Sequence, residues 1–243
     1  MKKLKLKSYQ ETLFIIRSLA EKGVLTKEDI SLLLGVFDNE RPDYALGQKL
    51  EIGGILLSLE EIEGIVKQQA LTLQSEIKNE KPVVFFWSKW SSEPYVQQLS
   101  GFLAGIVKNE VKDIGIKTHW LKEGVVAIEE KHMVLPNKDD LVYCVDFLVG
   151  SGGTLMRMYE VLACAEIAAR KTLVIIDKPT PCKVFRPILV DPYVTIEDDY
   201  WTFGYGSDAK VDGVEVGRSL PFLACLMPLG QGIRDKLQSD FLK

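Results

Sequence analysis

Apolar positions in the first 80 residues recur at helical spacing. Leu13, Ile16, Leu19 and Ala20 fall on one face of residues 8–22, which predicts an amphipathic helix ended by Gly23. Thr26, with Asp29 three residues on, predicts a capped second helix carrying Ile30, Leu33 and Leu34. Two short helices around a glycine turn could form half of a helix-turn-helix. Glu28 and Asp29 argue against a DNA-reading face and favour a packing or docking appendage. Pro42, Gly47, Gly53 and Gly54 predict a connection over 38–54, and Ser58-Leu-Glu-Glu opens a third helix reaching about residue 77.

Beyond Pro82 the pattern changes to alternating strands and helices. Residues 83–87 form a continuous apolar run of buried-strand length, followed by a helix carrying Tyr95, Leu99, Phe102, Leu103 and Ile106. Further strands are predicted over 114–121, 125–132, 141–145 and 173–176, with a helix over 154–169. Such alternation predicts an α/β fold with a mainly parallel sheet and helices on both faces. The expected organisation is a helical N-terminal appendage over 1–54 and one domain over 55–243.

Composition narrows the classes. Of 243 residues, 47% are hydrophobic and 26% charged, so the bulk of the chain is globular rather than disordered or fibrous. A net charge of −4 argues against a nucleic-acid partner, leaving only the lysines at 2, 3, 5 and 7 as a local basic arm. Cys144, Cys164, Cys182 and Cys225 form no C-x-x-C pair, three of them sit in apolar runs, and His119 and His132 fit no zinc spacing. Without a long apolar stretch or a signal-peptide core, the expectation is a cytoplasmic protein with no membrane contact. A homodimer is the expected assembly.

One stretch carries candidate chemistry: Leu141-Val-Tyr-Cys-Val-Asp146-Phe-Leu-Val-Gly150-Ser151-Gly152-Gly153-Thr154, then a helix. A strand feeding a Gly/Ser/Thr turn at a helix N-terminus suits a phosphate, because backbone N–H groups and the positive helix end converge on the anion. The alternative is a plain tight turn with an N-cap at Ser151 or Thr154. A dinucleotide fingerprint is excluded by Leu155 where a third glycine is required, and a P-loop by the absence of Gly-Lys-Ser/Thr.

The stretch resembles the phosphoribosyl-diphosphate (PRPP) signature of type I phosphoribosyltransferases: a buried strand, two acids, small residues, then a Thr/Ser-Gly turn. Two downstream segments are similar to the hypoxanthine-guanine members: Thr172-Leu-Val-Ile-Ile-Asp-Lys178-Pro-Thr180, and Asp199-Tyr-Trp201-Thr202-Phe203-Gly204-Tyr205-Gly206-Ser207-Asp208 with Arg218 ten residues on. Leu57-Ser-Leu-Glu-Glu-Ile resembles their helix opening. The resemblance implies a mainly parallel sheet flanked by helices, with a small hood. It implies that residues 150–154 hold the 5′-phosphate and that Asp146 holds ribose hydroxyls. Trp201 would stack on a purine whose ring edge is read near Thr202, and Lys178 would donate to the 6-oxo oxygen. Asp208 would hold magnesium on the pyrophosphate, and Arg218 would neutralise the pyrophosphate as it leaves. Core, turn or surface roles for Trp201, Lys178, Asp208 and Arg218 remain the alternatives at this point.

Three departures stand beside these matches. The second acid's place is taken by Phe147, the place of an aspartate near the purine by Gly150, and a short turn replaces a long mobile loop between Thr118 and Val125. A further departure is Trp87-Ser88-Lys89-Trp90-Ser91, which stands where the family places a Lys-Gly turn for the pyrophosphate, with Lys89 as its candidate cation. The expected function is transfer of phosphoribose from PRPP to a purine-type base with magnesium. The alternative is a catalytically impaired sensor or effector, as in a bacterial regulatory or defence module, acting on a protein partner through residues 1–54.

Overall fold

The computed structural model describes residues 2–37, 49–77, 81–89, 91–120, 126–129, 133–178, 184–196, 201–207, 209–212 and 214–241. In chain order its elements begin with β1 (Lys2–Leu4), α1 (Tyr9–Glu21), α2 (Lys27–Leu33), β2 (Leu50–Leu57), α3 (Leu59–Glu76), β3 (Val83–Ser88) and α4 (Glu93–Ala104). Then come β4 (Val111–Ile116), β5 (Thr118–Trp120), β6 (Val126–Ile128), β7 (Leu141–Val145), β8 (Leu148–Val149), α5 (Gly153–Cys164), β9 (Ala169–Leu173) and β10 (Ile176–Asp177). The last are β11 (Val194–Ile196), β12 (Trp201–Phe203), β13 (Ala209–Val211), β14 (Val214–Val216), β15 (Leu223–Pro228) and α6 (Arg234–Phe241). The chain divides into two compact units, residues 1–3 with 63–199 and residues 4–62 with 200–243.

The first unit is built on a parallel sheet of order β4-β3-β7-β9. β3 and β7 are buried along their whole length, as their unbroken apolar runs require when helices cover both faces. Val84, Phe86, Val142 and Cys144 point to the side where α5 places Leu155, Met158 and Leu162. α4 packs on β3 and β4. Gln69 of α3 is fully buried and fully used: its Nε2 donates to Val174 O at 2.7 Å and Pro192 O at 2.8 Å, while its Oε1 accepts from Tyr95 at 2.6 Å. A second set of parallel pairs, β8-β10-β11, continues beyond breaks after β7 and β9.

The second unit holds an antiparallel sheet of order β12-β15-β2. Its core joins Leu13, Ile16 and Leu19 of α1, Leu33 of α2, Ile52, Phe203, Phe222 and Leu237 of α6. The rings of Phe37 and Phe203 lie 5.0 Å apart. The described residues of 1–54 beyond the first three therefore share one core with 201–241. Both expected helix starts are capping boxes, Ser8 with Glu11 and Thr26 with Asp29.

Several expectations are corrected. The connection expected over 38–54 is in part the strand β2, which continues to Leu57. Its residues 50–57 are all buried, and a Cβ at Gly53 would stand 2.5 Å from Met227 Cγ. The glycines mark close approach to β15 rather than a break. The helix expected to reach residue 169 stops at Cys164, where Glu166 takes a φ of 58° and the Ile167 N–H returns to Leu162 O at 2.8 Å. The strand expected over 114–121 is β4 followed separately by β5, and that over 173–176 is the end of β9 and the start of β10. Cys144 and Cys225 are buried, whereas Cys164 is exposed. Trp90, His132, Cys182 and Asp208 lie outside the described residues. Among the described residues no helix is long and apolar enough to cross a membrane.

Candidate functional site

Parallel strands release their following residues at their C-terminal ends, where α/β folds bind ligands. In the first unit Trp87 pairs with Val145, so Lys89 and Asp146 follow the adjacent ends of β3 and β7. Asp177 pairs with Val149, so Gly150 and Lys178 follow the adjacent ends of β8 and β10. The Lys178 N–H donates to Val149 O at 2.8 Å. Lys89, Asp146, Lys178 and the 150–154 turn all therefore sit at C-terminal strand ends of the first unit.

The turn demands glycine at its centre. Gly152 has a φ of +84°, and a Cβ there would fall 2.4 Å from Phe185 O. Ser151 O accepts from the N–H groups of Val184 at 2.8 Å and Phe185 at 3.2 Å, which fixes the turn against that segment. Ser151 Oγ accepts from the Gly153 N–H at 3.3 Å. Gly152, the N-cap residue of α5, has no side chain to cap the helix, and the first turn carries no acid. The early N–H groups of a helix have no acceptor within it; Ser151 Oγ takes that of Gly153, and the positive end of the helix dipole lies at this turn. Gly150 has room: a Cβ there would meet only Leu148 Cδ2, at 3.8 Å.

Asp146 is placed differently. It is 8% exposed, and its Oδ1 accepts from Ser92 Oγ at 3.0 Å and from the Phe147 N–H at 2.9 Å. Ser92 Oγ in turn accepts from the Phe147 N–H at 3.1 Å. Burial pushes the Asp146 carboxyl up to about 6, against the opposing pull of Ser92 and the backbone donors of Phe147 and Leu148. The Phe147 ring is buried in the core. The Lys89 N–H donates to Ile116 O at 2.7 Å, and its stem crosses Gly115, where a Cβ would fall 2.7 Å from Lys89 Cε.

The second unit carries the remaining described candidates. Trp201 is partly buried against that unit's core and pairs with Leu226. Thr202 is buried, and its carbonyl accepts from Ser207 Oγ at 2.9 Å. Arg218 donates through Nη1 to Gly206 O at 2.7 Å and pairs through Nη2 with Glu215 at 3.1 Å. Among the described residues no group of three His, Cys, Asp or Glu side chains could hold a metal ion.

Sequence reasoning misses Ser92, Phe185 and Gly115. Ser92, at the start of α4, looks like an ordinary helix cap, yet its hydroxyl makes no cap bond and serves Asp146 and Phe147 instead. Nothing local in the sequence signals that pairing.

No protein-family model matches the sequence, and no curated protein matches it. Solved structures do. The chain has the fold of the type I phosphoribosyltransferases, in a divergent form. A hypoxanthine-guanine phosphoribosyltransferase from Bacillus anthracis is similar at 26% identity over 73% of this chain and 99% of that one, with a TM-score of 0.59. A hypoxanthine phosphoribosyltransferase from Staphylococcus aureus is similar at 21% identity over 73% of this chain and 92% of that one, with a TM-score of 0.60.

Proposed function

We propose that the chain binds PRPP or a purine nucleotide by its 5′-phosphate at residues 150–154, and transfers phosphoribose from PRPP to a purine-type base. The observation that carries the binding half is the 150–154 turn: a left-handed glycine held against Phe185 O at the head of a helix whose first turn carries no acid. The fold shared with hypoxanthine-type enzymes supports the reaction half.

In this reading the turn and the head of α5 fix the phosphate, with Ser151 and Thr154 adding hydroxyl donors. Trp201 offers a π-face to the purine, Thr202 lies beside its edge, and Lys178 donates to a 6-oxo group. The base nitrogen forms a bond to C1′ as the C1′–O bond breaks, its electron pair leaves with pyrophosphate, and the nitrogen's proton passes to water. Lys89 and Arg218 offset charge on the departing group. Magnesium would shield the pyrophosphate. The described residues assemble no carboxylate set for it, so no step is routed through the ion.

A second reading, a sensor or effector that binds without turnover, is favoured by the inward Asp146 and the buried Phe147. In that reading residues 1–54 carry the contact to a partner. Incubating the protein with magnesium, PRPP and each common purine base separates the two. The transferase reading expects nucleotide above a Gly152→Trp control, and binding of PRPP without product would leave the sensor.

A further inference from the structure

We infer that this site takes sugar 5-phosphates without reading the sugar's 2-hydroxyl, so that ribo and 2-deoxyribo ligands are held alike. The inference rests on the proposed phosphate turn at residues 150–154.

A sugar whose 5-phosphate sits at the head of α5 has its ring only a few bonds away, beside the segment that delivers the turn. Over residues 141–154 that segment contains one carboxylate, Asp146. It is 8% exposed, and its Oδ1 is already supplied by Ser92 Oγ and the Phe147 N–H. The next side chain, Phe147, is 1% exposed. Leu148 and Val149 are apolar, and Gly150 has no side chain.

Strong selection for a hydroxyl arises when the analogue lacking it leaves a buried polar group of the site unpaired. Asp146 keeps donors whether or not a sugar is bound, from Ser92 Oγ and the backbone N–H groups of Phe147 and Leu148. It bonds the start of α4 to the end of β7 whether or not a sugar is present. Loss of the 2-hydroxyl therefore strands no acceptor on this segment, and the phosphate carries the recognition.

The test is calorimetric titration of the full chain with ribose 5-phosphate and with 2-deoxyribose 5-phosphate, repeated with GMP and 2′-deoxy-GMP. Within each pair the dissociation constants are expected to agree within about threefold. A ribo form tighter by about tenfold or more in both pairs would overturn the inference while leaving the phosphate turn standing. It would direct attention to an acceptor off this segment, such as Asp177 opposite Val149. Failure of all four ligands to bind at millimolar concentration would overturn the phosphate turn, and the inference with it.

Discussion

Residues 146–147 and residues 150–154 belong to one passage from strand to helix, yet they have opposite environments. The first pair is sealed: Asp146 is bonded to Ser92, and Phe147 is part of the core. The second group is half-open, with Ser151 and Thr154 partly exposed at a helix end whose first turn carries no acid. The same backbone thus turns its acidic half into structure, while its glycine half stays partly exposed and is, on the proposed reading, where the phosphate binds. A phosphate cradle needs backbone geometry whereas a sugar clamp needs side chains, so the two halves of such a loop are free to differ.

Four substitutions can break or sharpen that contrast. Phe147→Ala should be the most damaging, lowering stability by about 3–5 kcal/mol in denaturant titration as a buried ring is removed. A loss under about 1 kcal/mol would mean the ring is not core.

Asp146→Asn tests the sealed carboxyl through pH. Its folded value, raised to about 6 from an ordinary 3.8, means the native state holds a proton that the unfolded chain releases. Wild-type stability from this group should therefore fall by about 3 kcal/mol as pH rises from about 4 to 6. The Asn variant should lack that step, and parallel pH profiles for the two proteins would contradict the burial argument.

Gly152→Ala should cost about 1–3 kcal/mol, from the left-handed φ and the approach to Phe185 O. It should also weaken nucleotide binding by more than about tenfold, read by calorimetry on the folded variant. Unchanged binding would detach the turn from the ligand. Ser92→Ala should have the smallest effect, about 1 kcal/mol, and should move the Asp146 step to higher pH, since Ser92 is one of the groups holding that carboxyl down. An unmoved step would mean the hydroxyl is not bonded to the carboxylate.

Only one side of this contrast is legible in the amino-acid sequence itself. The apolar run 83–87 reads as a buried strand, and Gly152-Gly153 between Ser151 and Thr154 reads as a glycine turn opening a helix. β2 escapes such a reading because Gly53 and Gly54 look like punctuation, whereas they let Met227 and Leu6 approach the strand. The sealing of Asp146 is invisible there because its partner, Ser92, lies 54 residues away. Local pattern reports an element's period and its turns, but not which distant hydroxyl a carboxylate will choose. Arg218 illustrates the same limit: its guanidinium bonds to Gly206 O and Glu215, contacts that its spacing from Trp201 does not indicate.

The central claim is that residues 150–154 recognise a 5′-phosphate, and the most direct measurement is calorimetric titration of the wild-type chain with GMP against guanosine. GMP is expected to bind in the micromolar range, with guanosine weaker by about a hundredfold or more. Equal affinity for the two, or no binding of GMP at all, would contradict the claim and reduce the turn to a structural bend.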